Sequence, residues 1–317
     1  MKRLGLALIT LFILSVLVFA AASLLPGNIG RNVLGPFASQ RDVAIFNHKA
    51  GADRPLITQY LDWITGFVHG DFGNSLQYSV GTAEVSVTSL LGPAFSNSLK
   101  LAAVAFVILV PLSLLGGTVA GLRRNSFSDR FITVTGVSFT AIPEFVTAIV
   151  FILLFGLWLD WLPVSATAPT GANAFTQIEY LLLPAFALVA VEFGYIARIT
   201  RSGVVESVDA DYTRTAYLKG LTTRQVVGTH VLRNSLLPTI AVVATQIGYL
   251  IGGLLVIEKI FNYNGIGLRI YTAAQNKDFP VLQTGVMLVG VVYLLATLFA
   301  DILYSLLNPR VRFGGGE

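Results

Sequence analysis

The sequence contains no cysteine and only three histidines. Without cysteine, a disulfide framework, a thiol nucleophile and a cysteine-bound iron–sulfur cluster are excluded. His48, His69 and His230 lie far apart along the chain and lack the spacing of metal ligands. The pattern Gly-x-x-x-x-Gly-Lys-Ser/Thr is also missing, so we expect no phosphate-binding loop of the kind that hydrolyses ATP.

Charged residues are scarce. They make up 12% of the 317 residues, whereas a typical soluble domain carries about 25%. Hydrophobic residues account for 54%, and the mean hydropathy is +0.73. Long apolar runs separate the charged clusters, which is typical of a polytopic membrane protein. The net charge of +4 is small and the basic residues border the apolar runs, so nothing indicates nucleic-acid binding.

The apolar runs predict an all-α membrane protein with about six transmembrane helices, since crossing a ~30 Å hydrocarbon core takes ~20 residues. The predicted spans are Leu4–Leu25, Ser96–Leu122, Phe131–Leu159, Leu181–Ile199, Leu237–Ile257 and Val281–Leu307. The first span follows a basic N-terminus, as a signal peptide does. Its apolar run exceeds the about 7–15 residues of a signal peptide, so we expect an uncleaved anchor.

Lysine and arginine concentrate in alternate short loops. One set comprises Lys2, Arg3, Arg123, Arg124, Arg130, Arg198, Arg201, Arg214, Lys219, Arg224, Arg233, Arg310 and Arg312. The opposite loop Trp161–Tyr180 contains neither residue type. Positive residues favour the cytoplasmic side, so we predict that both termini lie in the cytoplasm.

A long external region, residues 26–95, is predicted between the first span (residues 1–25) and a five-helix core (residues 96–317). Within it, Asp53-Arg54-Pro55 predicts the start of a helix. Apolar side chains then recur at helical spacing, namely Ile57, Tyr60, Leu61, Ile64 and Val68. Such a helix packs on the spans or lies on the membrane surface. We expect packing, because apolar stripes usually face a core.

A second polar region separates the fourth and fifth predicted spans. Apolar residues at intervals of three or four predict an amphipathic helix over Gly203–Leu218, and Gly220 is placed to end it. Thr222 and Gln225 form a capping-box pattern ahead of a second helix, Thr223–Ser235. A helical hairpin within about residues 203–235 can act as a lever that a soluble partner moves. A surface hairpin without a partner remains the alternative.

This hairpin resembles the coupling segment of ABC importer permeases, and the dipeptide/oligopeptide/nickel branch is the most similar. The resemblance rests on Asp211–Leu221 and His230–Pro238, and it extends over nearly the whole chain. The other matching motifs are Leu25-Pro26-Gly27, Gly70–Gly73, Ile142-Pro143, Trp161–Ser165, Asp301–Tyr304 and Asn308–Arg312. Arg214-Thr215-Ala216 departs from the general Glu-Ala-Ala pattern, and the stretch from Gly220 to Pro238 is long. Both departures fit the peptide branch.

The resemblance implies a type I ABC importer permease in the bacterial inner membrane, working by alternating access. It implies a second, homologous permease subunit, two ATPase subunits and an extracytoplasmic substrate-binding protein. The ATPase subunits would hold ATP and Mg, and this chain would need no cofactor of its own. The residues expected to couple the chain to the ATPases are Asp211, Tyr212, Arg214, Thr215, Ala216, Lys219 and Gly220.

Polar residues within the predicted spans are candidates for the substrate path, because charge at membrane depth is costly and usually faces a cavity or a partner. These are Glu144, Glu192 and Gln246. Glu144 follows Pro143 and could meet a cationic group such as a peptide N-terminus. It could equally be a protonated or paired structural residue. For Glu192, pairing with Arg198 is an equally good expectation.

Two other function classes are alternatives to an importer permease. An ion-gradient-driven secondary transporter often has inverted repeats and paired broken helices, and no convincing internal repeat is present. An intramembrane enzyme needs a nucleophile–base set or metal ligands at membrane depth, and the predicted spans contain no histidine or cysteine. The resemblance implies that the binding protein, rather than this chain, sets most of the substrate specificity.

Overall fold

The computed structural model describes residues 2–24, 28–79 and 84–307. Two motifs of the family resemblance, Leu25-Pro26-Gly27 and Asn308–Arg312, lie outside these ranges. The helices in the described ranges are α1 (Lys2–Leu24), α2 (Ile29–Leu34), α3 (Gln40–Lys49), α4 (Leu56–His69), α5 (Val87–Leu122), α6 (Phe127–Ala141), α7 (Glu144–Phe151), α8 (Ala174–Asp209), α9 (Asp211–Leu218), α10 (Thr223–Gln225), α11 (Leu232–Ile260), α12 (Ile266–Asn276) and α13 (Phe279–Leu307). Two π-helical segments, Ile152–Trp158 and Val226–Val231, continue α7 and α10.

The helices fall into two compact units. The first comprises the described residues of Met1–Leu99 together with Asn264–Leu294. The second comprises the described residues of Lys100–Tyr263 and Leu295–Glu317. The second unit contains the larger apolar core, in which side chains of α5, α7, α8 and α11 bury one another, among them Leu101, Ala148, Leu188 and Leu254.

The prediction of an all-α membrane protein is confirmed. In the described part of the chain, four helices (α1, α5, α8 and α13) are long and apolar enough to cross a membrane, and six spans result if two bent helix pairs each count once. α5 and α8 have 36 residues each, well beyond the ~20 that a bilayer requires. Both helices begin well before the predicted span starts at Ser96 and Leu181, because the apolar runs behind the prediction cover only part of each helix.

The third predicted span, Phe131–Leu159, is not one continuous helix. α6 and the segment Glu144–Trp158 meet at an angle of 109°. Pro143 has no N–H and forces extended geometry on the residue before it, and Ile142 has φ −87° and ψ 129°. Glu144 therefore stands in the first turn of a new helix rather than in the middle of an old one.

The region after α8 also differs from the sequence prediction. The predicted helix Gly203–Leu218 is two helices, because α8 continues to Asp209 and Ala210 adopts an extended conformation (φ −73°, ψ 147°) before α9. The predicted helix Thr223–Ser235 has no end of its own. It runs through the π-helical segment into α11, where Pro238 lies inside the helix and the axis bends by 41°. Pro238 therefore bends this helix but does not end it.

α6 and α8 cross at a point where both have glycine. A Cβ on Gly194 would lie 2.1 Å from the carbonyl oxygen of Gly136, and a Cβ on Gly136 would lie 2.7 Å from the Cα of Gly194. Thr140 ties the crossing by donating to the backbone oxygens of Gly136 (2.9 Å) and Val191 (3.2 Å). Because backbone faces backbone, no side-chain movement can make room for a methyl group.

Replacing Gly194 by alanine should therefore force α6 and α8 apart and destabilise the protein by ~1–3 kcal/mol, the usual cost of overpacking. Gly92 in α5 has open space where its Cβ would stand, so Gly92→Ala is the matched control. Thermal unfolding of the two purified variants measures the difference. Equal midpoints would show that the crossing is looser than its backbone distances indicate.

The first unit contains α4, the helix predicted within residues 26–95. α4 begins after Pro55, as predicted, and ends at Gly70, whose φ is +80°. Its packing face is aromatic: Tyr60 and Trp63 contact Phe19 of α1, with ring centroids 5.4 and 6.0 Å apart. The predicted apolar stripe is mostly on another side, since Ile57, Leu61 and Val68 remain exposed. The expectation that this stripe packs on the spans is therefore wrong for these three residues.

α13 begins at Phe279, as the preceding Asp278 predicts. Asp278 is buried, and its carboxylate accepts hydrogen bonds from the hydroxyl of Ser75 and the backbone N–H of Leu76 (3.1 Å). This carboxylate thus holds the loop before α5 against the start of α13 within the first unit.

Candidate functional site

The α9 hairpin, residues Gly203–Ser235, is held together by a small apolar core. Val204, Ala216, Val226 and Val231 are buried in it, with Leu221 at its edge. An eight-residue helix is not stable alone, so α9 depends on this contact.

Two contacts join the hairpin to the long helices. Buried Thr213 donates to the carbonyl oxygen of Ser207 at 2.6 Å, which ties α9 to the end of α8. A Cβ on Gly203 would stand 2.6 Å from the backbone oxygen of Ser235, so α8 and α11 approach each other closely at the base of the hairpin.

The turn of the hairpin has the geometry that its sequence predicts. Gly220 has a φ of +79°, in the left-handed region that favours glycine. Its N–H donates to the carbonyl oxygen of Tyr217 at 2.9 Å, and the next N–H, of Leu221, reaches Ala216 at 3.3 Å. Thr222 and Gln225 form the predicted capping box. These local interactions fix the direction of the chain at the turn between α9 and α10.

The outer face of α9 carries three of the seven predicted coupling residues, namely Asp211, Arg214 and Thr215. At 3.6 residues per turn, Asp211, Arg214, Thr215 and Leu218 fall opposite the buried pair Thr213 and Ala216. All four outer side chains are exposed, and Leu218 is 80% exposed. Half-exposed Tyr212 and Tyr217 flank this face, and Lys219 and Gly220 close it at the turn. The result is a mixed apolar and charged surface.

One of the seven predicted coupling residues is buried, and the other six lie on or beside the exposed face of α9. Ala216 is buried inside the hairpin, so it can position α9 but cannot touch another protein. Leu218 was not among the predicted residues, although it is the most exposed apolar side chain of α9. Helical spacing alone places Leu218 on the exposed face, because a leucine three residues after Thr215 falls opposite Ala216.

The three polar residues of the predicted substrate path lie on helices that pack together, α7, α8 and α11. Gln246 donates from its amide to the carboxylate of Glu192, and Gln246 is only 4% exposed. Glu144 contacts α11 at Gly253, where an added Cβ would stand 2.8 Å from the Glu144 Oε2. The structure therefore brings two carboxyl groups and one amide onto three helices that pack together, and joins Glu192 and Gln246 by a hydrogen bond.

The expected pairing of Glu192 with Arg198 does not occur. Glu192 takes its hydrogen bond from Gln246, and the guanidinium of Arg198 lies 6.0 Å from the ring centroid of Tyr195. Six residues on a helix place two side chains on different faces, which explains why this pairing fails.

A further ionic contact was not predicted. Asp129, 4% exposed in the first turn of α6, receives two hydrogen bonds from Arg201 of α8, from Nε at 2.5 Å and Nη2 at 2.8 Å. The backbone N–H of Asn125 (2.9 Å) and the hydroxyl of Thr133 (3.3 Å) also donate to it. The pair fixes α6 to α8 eight residues before the end of α8. Nothing local in the sequence links residues that are 72 apart.

Comparison with known proteins decides the family. Residues 113–313 match the model of the "Binding-protein-dependent transport system inner membrane component", and residues 1–109 match the N-terminal model of such membrane components. The chain belongs to this family. The permease is 34% identical over 315 residues to the glutathione transport system permease protein GsiC of Escherichia coli (strain K12), covering 98% of each chain. It is also 34% identical over 316 residues to the GsiC of Salmonella typhimurium (strain LT2), covering 99% of this chain and 98% of that one.

A solved structure shares the fold of the permease. The crystal structure of an amino acid ABC transporter with histidines aligns with a TM-score of 0.51 and 16% sequence identity, covering 70% of this chain and 94% of that chain. The predicted identity of the chain as an inner-membrane permease of an ABC importer, in the peptide branch, is confirmed by the family and the relatives. No finding supports the secondary transporter.

Proposed function

We propose that α9 is the coupling helix of this permease and docks on an ATPase subunit. The observation that carries the proposal is the division of α9 into a buried inner face and an exposed outer face. Its outer face offers Asp211, Arg214, Thr215 and Leu218 to a partner, whereas Ala216 anchors it. Exposed apolar area rimmed by charge is what a protein partner recognises.

The described contacts join α9 to the membrane helices on both sides of the hairpin. α9 is tied to α8 by Thr213, and the chain after Thr222 continues helically into α11. The Asp129–Arg201 pair then joins α8 to α6, whose successor α7 carries Glu144. Movement of α9 would thus be passed to three of the helices that surround Glu144, Glu192 and Gln246, which is the mechanical requirement of alternating access.

The remaining partners follow from the same proposal. The family is named for transport that depends on a binding protein. Permeases of ABC importers work with ATPase subunits. We propose that two ATPase subunits bind ATP and Mg and supply the energy, that this chain has no ATPase site, and that a second homologous permease completes the pore. The chain would present α9 to the cytoplasm, in line with its basic loops.

For the substrate we propose a small peptide or a related solute with a cationic group. The relatives from Escherichia coli and Salmonella typhimurium are named as glutathione permeases, and glutathione is a short peptide derivative. The carboxylates of Glu144 and Glu192 would attract a peptide N-terminus as it passes, and the binding protein would choose among peptides.

The proposal is tested by purifying the tagged chain from membranes and reconstituting the complex. We expect ATPase subunits and a related permease to co-purify, and uptake of a peptide ligand of the binding protein to require ATP. Uptake driven by an ion gradient, with no ATPase present, would overturn the proposal.

Glu144→Gln should weaken uptake of cationic peptides about tenfold, equivalent to ~1.4 kcal/mol, and leave neutral peptides nearly unchanged. The reason is that glutamine retains the size of the side chain but removes the negative charge. Initial uptake rates in proteoliposomes measure the effect. A purely structural Glu144 would instead lower the rates for both peptide classes alike.

A further inference from the structure

We propose that α4 is embedded at the lipid–water boundary, with the face formed by Ile57, Leu61 and Val68 (the lipid face) in contact with acyl chains. These side chains are 75%, 53% and 73% exposed. On an ideal helix they fall within about 40° of one another, so they make one continuous strip. Three large aliphatic side chains in one exposed strip are costly in water, and acyl chains would cover them.

The contacts of α4 with α1 place the helix at membrane depth. The hydroxyl of Tyr60 lies 2.8 Å from that of Ser15, and its ring stacks edge-on against Phe19. The apolar span of α1 is Gly5–Ser23. Ser15 is eight residues before the end of that span, so the Tyr60 hydroxyl lies about 12 Å inside it at 1.5 Å per residue. A helix whose side chains reach this depth cannot stand clear of the bilayer.

α1, which α4 contacts, also exposes a dense set of apolar side chains, as expected of a span that borders lipid. These include Leu6, Ile9, Phe12, Ile13, Val16 and Leu17. Tyr60 and Trp63 fill the seam between α1 and α4, and tyrosine and tryptophan are the residues enriched at membrane interfaces.

The remaining side of α4 is polar, as an interfacial helix requires. Thr58, Asp62, Thr65 and His69 are exposed and lie next to one another around the helix. Asp62 forms an ion pair with Arg54 at 3.2 Å, which places this charged pair on the water side. α4 therefore has three sides, one on α1, one for lipid and one for water.

The chain has no cysteine, so single cysteines can carry nitroxide labels in the complete transporter reconstituted in lipid bilayers. Leu61→Cys and Ile57→Cys report the lipid face, and Thr65→Cys on the polar side is the matched control. We expect labels at 57 and 61 to be severalfold more accessible to dissolved oxygen than to a water-soluble nickel chelate, with the reverse order at 65.

Greater access of the nickel chelate at 57 and 61 would overturn the proposal, because the face would then be in water. Protection from both reagents at these positions would also overturn it, because a protein partner would then cover the face. Uptake by each labelled variant shows that the complex has assembled, and the two lipid-face positions guard against failure of a single variant. The result is independent of whether α9 binds an ATPase.

Discussion

Replacing Asp129 by alanine should destabilise the permease by ~3 kcal/mol or more, because it leaves the charge of Arg201 without its partner. Asp129 is almost fully buried and accepts four hydrogen bonds, two from Arg201 and one each from Asn125 and Thr133. Alanine removes every acceptor at once. The contact between α6 and α8 then loses its only described ion pair, and the unfolding midpoint of the purified protein should fall by many degrees.

The chain supplies its own control. Arg124 and Asp209 form a second ion pair in the same unit at 3.4 Å, but their side chains are 58% and 65% exposed. Exposed pairs contribute at most about 1 kcal/mol, so Asp209→Ala should change stability little. A double variant, Asp129→Leu with Arg201→Met, should recover much of the loss, since apolar residues of similar size can replace a buried pair. Similar unfolding midpoints for Asp129→Ala and Asp209→Ala would show that the buried Asp129–Arg201 pair stabilises the protein no more than the exposed pair does.

Leu218→Asp should abolish ATP-dependent uptake and leave insertion, folding and the ATPase subunits' own hydrolysis in place. Leu218 is 80% exposed, so the change costs the isolated chain little. In the complex it would replace the exposed apolar side chain of the α9 outer face by a charge, and a charge is costly in a protein contact without a partner. Uptake and ATP hydrolysis measured on the same proteoliposomes give the ratio of solute moved per ATP.

Leu218→Met preserves size and apolar character and should retain uptake. Two further variants approach the hairpin differently. Arg214→Glu reverses a charge on the outer face, and Gly220→Pro cannot adopt the φ of +79° at the turn. Both should also uncouple hydrolysis from transport. Normal uptake by Leu218→Asp, Arg214→Glu and Gly220→Pro together would remove α9 from the energy pathway.

Local signals in the sequence predicted local structure well. Gly220, the Thr222–Gln225 capping box and the helix start after Pro55 all appear as predicted, because each depends on a few neighbouring residues. Two of the prolines within the predicted spans, Pro143 and Pro238, show where this fails. Pro143 separates two helices at 109°, whereas Pro238 only bends one by 41°. Both remove one N–H, and the outcome depends on what packs around the break.

Contacts between residues that are far apart in the chain could not be predicted from the sequence. Gln246 reaches Glu192 across 54 positions, and Arg201 reaches Asp129 across 72. Their polarity within predicted spans singled out Glu144, Glu192 and Gln246 as unusual, and the fold places them on three helices that pack together. The exposed side of α4 is a related case, because an apolar stripe has the same sequence pattern whether a protein core or a bilayer covers it.

The central claim is that α9 receives its force from an ATPase subunit in the cytoplasm. A photoreactive maleimide on Leu218→Cys in the assembled importer tests it most directly, with Phe37→Cys, fully exposed in the external region, as the control. We predict that position 218 cross-links to the ATPase subunit, in a yield that changes when ATP is added, and that position 37 does not. Labelling of position 218 by an impermeant reagent from the external side, with no cross-link to any ATPase, would contradict the account.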